Sequence, residues 1–302
     1  MQQYGDPDVL TATELPDPPV GPDTVLVRAR AAGVNPVDTK IRQGGLDALI
    51  PTHFPLVSGY DVAGVVERVG PAVHDVRAGD EVIAYNRQDH LQWGTYAELV
   101  PVPRRAVAAR PATAGWEQAA ALPLVGLTAY QTLVDLLAVR EGETVLVHGA
   151  SGGVGRMAVQ IARVLGAEVI GTAGEHNHDR LRELGAIPTT YGDGLVERVR
   201  AIRPDGVDAV LDLAGGQALE DSPAVLSTPG RIASVLEPQR VGELGGKYHF
   251  VRPDADQLGL LGRWVDAGRL RIGVDRTLPL TDAAEAHRLQ EAGGAGKLVL
   301  TI

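Results

Sequence analysis

Glycines at 149, 152, 153 and 155 follow directly on the short apolar run Val145-Leu146-Val147. The segment Met157 to Leu165 comes next, with apolar residues at helical spacing and Gly166 as a stop signal. Strand, glycine turn and helix in that order build a cradle for an anion. Gly152 lets the backbone approach a pyrophosphate, Gly155 lets the helix pack on the strand, and the free N–H groups of the first helical turn face the charge. Ala150 stands where the G-x-G-x-x-G pattern has its first glycine. The context predicts a bound dinucleotide, with Gly152, Gly153 and Val154 at the pyrophosphate.

The end of the following strand decides between NAD and NADP, because an acid there bonds the ribose 2′-hydroxyl and repels a 2′-phosphate. The run Gly171-Thr172-Ala173-Gly174 has no acid before Glu175. Small residues leave room for a phosphate, and His178 or Arg180 can pair with it. NADP is the expected cofactor.

The elements that position this turn alternate from Glu143 to Val235 as strand and helix, which reads as a doubly wound α/β domain with right-handed crossovers. Tyr248 to Val251 is expected as its last strand. Ahead of it, helices are expected over Thr113 to Ala121, entered through a threonine cap, and over Gly126 to Val139. Residues 9 to 111 are different: short apolar segments such as Val25–Ala29, Val62–Val69, Glu81–Ala84 and Tyr96–Val100, punctuated by Gly, Pro and Asp, predict a small rolled-up β domain. In the tail, helices over Ala255–Ala267 and Asp282–Glu291 and strands near Ile272 and over Lys297–Thr301 are expected to pack back on that domain. The predicted organisation is 1–112 with 253–302, and 113–252 between them.

Composition narrows the function. The chain has 302 residues, 44% hydrophobic and 22% charged, a range typical of soluble globular proteins. Aromatics make up 4%, so the cores must rest on Val, Leu, Ile and Ala. A net charge of −10 argues against nucleic acid or an anionic membrane as partner. No apolar run is long enough to span a bilayer, and a cytoplasmic address is expected. Cysteine is absent, which excludes disulfides, thiolate nucleophiles and cysteine-ligated metals. His176-Asn177-His178 has the look of a metal pair but no third ligand nearby in sequence.

The run His148 to Gly155 resembles the glycine motif of the zeta-crystallin-like quinone oxidoreductases, zinc-free members of the medium-chain dehydrogenase/reductase superfamily. Gly33-Val34-Asn35-Pro36-Val37-Asp38, Gly59-Tyr60-Asp61-Val62-Ala63-Gly64, Ala119–Pro123, Gly126–Tyr130 and Lys297–Leu300 are similar to that family too, in its order. The Asn35 and Gly59 segments are similar to the alkenal and enone reductase branch. The resemblance implies a GroES-like β domain and a Rossmann domain, NADPH, and a quinone or α,β-unsaturated carbonyl reduced by metal-free hydride transfer. It implies Asn35 and Thr128 at the nicotinamide and its ribose, Ser151 to Val154 at the pyrophosphate, Tyr191 near the adenosine phosphate, and His178 where some relatives have a lysine. It also implies a homodimer built on the edge strand around His249–Arg252. A full first strand would precede Tyr4, so the chain start is expected to be misassigned or that edge truncated. Zinc alcohol dehydrogenases of the superfamily have a Cys within the segment matched by Gly33–Asp38 and a His-Glu pair matched by Tyr60-Asp61, so zinc is not expected here.

Hydride transfer leaves charge on an oxygen that needs hydrogen-bond donors. Lys40 and Tyr60 are the candidates, alongside Asn35 and Thr128. Lys40 can equally be a solvated lysine, Tyr60 reads more readily as an aromatic wall, and Asn35 also suits a turn before Pro36. Water can supply the proton, so no acid is required. The alternatives to a quinone or enone reductase are an enoyl-thioester reductase of lipid or polyketide synthesis and, in another class, a non-catalytic NADPH-binding crystallin-like protein.

Overall fold

The computed structural model describes residues 1–293 and 296–302, and they fall into two compact units, Met1–Leu127 with Arg252–Ile302 and Thr128–Val251. The sequence places the first boundary at 112/113; residues 113 to 127 instead group with the first unit.

The first unit is built on β1 (Thr24–Val34), eleven residues rich in Val and Ala. A helix, α1 (Pro36–Arg42), follows at once, then β2 (Thr52–Val57), β3 (Asp61–Val69), β4 (Glu81–Tyr85), β5 (Leu91–Trp93), β6 (Leu99–Pro103) and β7 (Val107–Ala109). β1 is long enough to serve two partners along one edge. Its first half pairs with β6, its second half with the C-terminal strand, and its other edge with β3. Register shifts at Leu26/Val27 and Ala29/Ala31 bend it between the two halves. Val25, Val27, Val62, Val66, Val82, Val100 and Val102 fill the core. Each such side chain contributes about 1.5–3 kcal/mol on full burial. β2 and β5 form a separate parallel pair.

Several expectations shift here. Sequence periodicity does not mark α1 or β2, and the strand expected over Tyr96–Val100 begins at Leu99, where β1 offers its ladder. Thr113 caps nothing: its N–H and hydroxyl both donate to Asp266 at 2.9 Å, and helix α2 (Trp116–Ala120) starts behind Gly115. The next helix, α3 (Pro123–Tyr130), begins at the proline and runs into a π-helical turn over Gln131–Leu136.

The second unit holds β8 (Thr144–Val147), α4 (Gly153–Val164), β9 (Glu168–Thr172), α5 (His178–Glu183), β10 (Ile187–Thr189), α6 (Leu195–Ile202), β11 (Ala209–Asp212), α7 (Gln217–Val225), β12 (Ile232–Ser234), α8 (Pro238–Glu243) and β13 (Lys247–Tyr248). The sheet is parallel throughout, in the order β10-β9-β8-β11-β12-β13. β8 and β11 are buried at every position, as strands covered on both faces must be. The last strand is two residues long rather than Tyr248 to Val251.

The chain returns to the first unit with α9 (Ala255–Asp266), β14 (Arg276–Pro279), α10 (Ala283–Ala292) and β15 (Leu298–Thr301). Ile272 is buried without belonging to a strand, and β14 takes the place expected for it. β15 pairs antiparallel with β1, Val34 opposite Leu298, and parallel with β14.

Candidate functional site

The glycine turn lies after β8, the strand at which the order of the second sheet reverses, and there open α/β sheets bind ligands. Its glycines have different reasons. Gly149 has φ +67°, a left-handed conformation that favours glycine. A Cβ on Gly155 would fall 2.4 Å from Gly149 O and 2.6 Å from Ala150 Cα, so glycine there is a packing requirement. Gly152 is exposed and extended at the N-cap of α4, and a Cβ on it would meet nothing closer than Gly149 O at 3.4 Å. The protein interior leaves room for a side chain at Gly152. What glycine keeps open is the outer side, where the first-turn N–H groups of α4 point outward for an anion. A dinucleotide pyrophosphate fits that cradle, with Ser151, Gly153 and Val154 half-exposed around it.

Thr172 stands behind the turn. Its Oγ1 accepts the Gly149 N–H at 3.1 Å, and only 1% of the residue is exposed. His178, half-buried at the start of α5, has Nε2 3.2 Å from Ala173 O. Tyr191 is 65% exposed on the loop after β10, and Arg198 holds that loop by donating to the carbonyls of Thr190, Tyr191, Gly192 and Asp193. These residues share the carboxyl edge of β9 and β10, where Ala173 N meets Thr189 O at 3.0 Å.

Two residues of this unit escaped the sequence reading. His148 is fully buried, and burial pushes its imidazole down to about 4. Ser222 Oγ donates to Ala218 O at 2.9 Å, so the 3.2 Å contact makes His148 Nε2–H the donor to Ser222. Asp212, at the end of β11, accepts from Ala214 N, Gly215 N and Ser234 Oγ and so pins two loops at the same edge. Asp212 has no local motif, and the glycine run that His148 heads does not mark its imidazole as buried.

A second polar cluster lies inside the first unit, and it is made of side chains. Asn35 ends β1 and begins α1. Lys297 Nζ donates to Asn35 Oδ1 at 2.7 Å, Asn35 Nδ2 donates to Asp61 Oδ2 at 2.9 Å, and Lys297 Nζ stands 3.4 Å from the same Asp61 oxygen. Lysine only donates and carboxylate only accepts, so the amide has one orientation. The other oxygen of Asp61 accepts Leu124 N at 2.8 Å, at the start of α3. Asp38 Oδ2 accepts Asn35 N at 2.8 Å and the Tyr96 hydroxyl at 3.1 Å, while Oδ1 is buried without a partner. Burial lifts the Asp38 carboxyl to about 7 against the pull of the Asn35 N–H. Burial also raises Asp61, and the Lys297 ammonium opposes it.

The sequence candidates divide accordingly. Asn35 is in the cluster. Tyr60 lies next to it in chain, 4% exposed, with its hydroxyl buried and unpartnered and its ring edge-on to Tyr85 at 5.5 Å. Burial keeps that phenol protonated far above its ordinary range. A cavity of about 20 Å³ touches Ser58, Tyr60, Asn86 and Gln88. Thr128, 5% exposed, sits one helical turn beyond Leu124 on α3. Lys40 is exposed on the outer face of α1, and the structure does not bring it to the cluster. Lys297 was seen in sequence only as part of a family-like strand. A groove of about 500 Å³ in this unit runs between Leu10–Pro18 and Trp93–Leu99 and includes none of these candidates.

Zinc takes Cys, His and carboxylate ligands, usually four of them. The chain has no cysteine, and among the described residues no group of three or more His, Asp or Glu could hold a metal ion. Where Asn35 and Asp61 converge, a lysine ammonium already supplies the positive charge. The residues present do not fit zinc.

A family model described as "Alcohol dehydrogenase GroES-like domain" matches residues 21–112, and one described as "Zinc-binding dehydrogenase" matches 184–300. The quinone oxidoreductase of Mus musculus is 30% identical, over 99% of this chain and 96% of that protein. The chloroplastic NADPH-dependent alkenal/one oxidoreductase of Arabidopsis thaliana is 34% identical, over 98% of this chain and 77% of that one. The solved quinone oxidoreductase from Coxiella burnetii is similar at a TM-score of 0.86 and 33% identity, covering 100% of this chain and 97% of that chain. On sequence and fold alike, the chain belongs to the quinone oxidoreductase family of the medium-chain dehydrogenase/reductase superfamily.

Proposed function

We propose that this protein is an NADPH-dependent reductase of quinones or α,β-unsaturated carbonyls that works without zinc. The observation that carries the metal-free reading is the Lys297 ammonium, buried between Asn35 and Asp61 where a second cation would be repelled. The Arabidopsis relative, an NADPH-dependent alkenal/one oxidoreductase, supports both the cofactor and the acceptor class.

Bound NADPH supplies a hydride to an electron-poor carbon of the acceptor. The chain's part is positioning and electrostatics. Gly153 and Val154 bind the pyrophosphate through backbone N–H groups; Gly152, whose own N–H donates to Gly149 O at 3.1 Å, keeps the approach free of a side chain, and Ser151 lies beside them. Asn35 and Thr128 border the nicotinamide end. Tyr60 holds its proton at Oη over the whole working pH range and donates a hydrogen bond to developing oxyanion charge. Small residues at Thr172–Gly174 leave space for the 2′-phosphate near His178, with Tyr191 flanking the adenosine side. The protein is a cytoplasmic homodimer in this reading. β13, a two-residue edge strand beside the part-exposed Tyr248 and Phe250, supports the dimer, and gel filtration with light scattering tests it.

The deciding experiment follows NADPH and NADH absorbance with benzoquinone, phenanthrenequinone, an alkenal and crotonyl-CoA, each with and without EDTA. Faster oxidation of NADPH, indifferent to EDTA, is expected with a quinone or the alkenal. Oxidation of neither cofactor by any acceptor, despite measurable NADPH binding, overturns the enzyme reading. Loss of activity in EDTA overturns the metal-free one.

A further inference from the structure

We infer that Lys297 is a positioning residue for this reductase site: its buried ammonium is the internal cation that fixes the Asn35 amide and, through Asp61, the start of the helix that carries Thr128. The inference rests on the reductase reading above. Lys297 is 4% exposed, Asn35 1% and Asp61 fully buried. A charge so far from water persists only when it is paired and hydrogen-bonded.

The bonds form a chain with one direction. The ammonium donates to Asn35 Oδ1, the amide passes a hydrogen bond to Asp61 Oδ2, and Asp61 Oδ1 takes the Leu124 N–H. That N–H is one of the orphan donors of the first turn of α3, so the carboxylate caps the helix as well. Thr128 lies four residues further along the same helix. Lys297 is thus the only donor-only group on the Asn35 carbonyl side among the bonds described, and it decides which way the amide faces. Without the ammonium, Asn35 Oδ1 loses that donor, the amide can turn over, and Asp61 keeps a buried negative charge with no countercharge. The ammonium's bonds run to Val34 O, Asn35 Oδ1 and Asp61 Oδ2 within the unit, so it acts through its neighbours.

The test uses Lys297→Met, Lys297→Gln, Lys297→Arg and the double variant Lys297→Met/Asp61→Asn. NADPH affinity is read by fluorescence, kcat and KM with the best acceptor, and Tm by calorimetry. Lys297→Met and Lys297→Gln are expected to lower kcat by on the order of 100-fold, as small misplacements at a site do, with NADPH affinity little changed. Lys297→Arg restores most of the activity. The double variant removes both charges, regains the Tm lost by Lys297→Met, and stays slow. Full kcat in the double variant, or unchanged kcat in Lys297→Gln, overturns the proposal and leaves the reductase reading intact. If the wild-type protein reduces no acceptor, the reductase reading falls. A crystal structure of Lys297→Gln then decides the positioning claim, and an Asn35 amide found undisturbed overturns it.

Discussion

The glycine turn of the second unit and the Lys297 cluster of the first solve opposite problems. The turn is made of backbone: it offers N–H groups at a helix start and keeps side chains away. The cluster is made of side chains with opposed charges, hydrogen-bonded one to the next and buried from water. Backbone donors need no countercharge and tolerate exposure, so the turn can meet a ligand directly. The Lys297–Asp61 ion pair inside the cluster cannot, because any exposed edge would let water compete for it. One is a receiving surface and the other an internal frame.

That contrast can be broken most severely at Asp61. Asp61→Ala leaves Lys297 buried and unpaired and uncaps α3; a loss of about 3–5 kcal/mol in urea unfolding is expected, and a loss below 1 kcal/mol would mean the cluster is hydrated in solution. Gly152→Asp probes the other side. It is expected to weaken NADPH binding by about 100-fold or more, roughly 2.7 kcal/mol, while Tm stays near wild type because a Cβ fits there. Unchanged affinity would remove the pyrophosphate from this turn.

Acid sharpens the comparison next. Each unit buries one histidine, His148 and His287, and burial pushes both imidazoles down to about 4. A base depressed in the folded state contributes stability that is complete above the unfolded value near 6.5 and is lost as pH falls towards 4. Each accounts for up to about 3 kcal/mol of acid lability. Asp38 runs the other way: its folded carboxyl, raised to about 7, favours folding most below about 4, and that advantage fades as pH rises to 7. Replacing His148 by Asn and His287 by Phe separately should flatten the acid limb of the stability–pH curve in each case. A curve unchanged by both variants would show that neither imidazole is neutral for this reason. The smallest effect is expected from Tyr96→Phe. Losing one hydrogen bond to Asp38 costs about 1 kcal/mol at pH 8, where the carboxylate is ionised, and less at pH 5.

The two regions were also unequally legible. A turn that needs glycine at fixed offsets, between a buried strand and a helix, writes its geometry into consecutive residues. The Lys297 cluster writes nothing locally, because Asn35 and Lys297 lie at opposite ends of the chain. They meet only because β15 pairs with β1 in a register that sets Leu298 opposite Val34. Asp61 arrives the same way, opposite Gly33 on the other edge of β1. Sequence periodicity finds strands but not their partners or register. Thr113 failed as a cap for the same kind of reason, since Asp266 competes for its N–H from far along the chain. In sequence Thr172 is one of the small residues that leave room at the strand end, and the structure turns its hydroxyl oxygen inward to Gly149.

The two-sided pairing of β1 has a consequence for biosynthesis. Residues 128–251 form one uninterrupted stretch and can fold as soon as they clear the ribosome. The first unit cannot, although most of it is translated earlier, because half of one β1 edge waits for residues 298–301. Chain order and folding order are therefore reversed here relative to the usual N-terminal-first course. The lysine that fixes Asn35 is translated only after the whole of residues 128–251. A nascent chain that has already shaped its nucleotide turn still lacks this internal cation, and a product cut short before residue 297 is expected to bind cofactor without reducing anything.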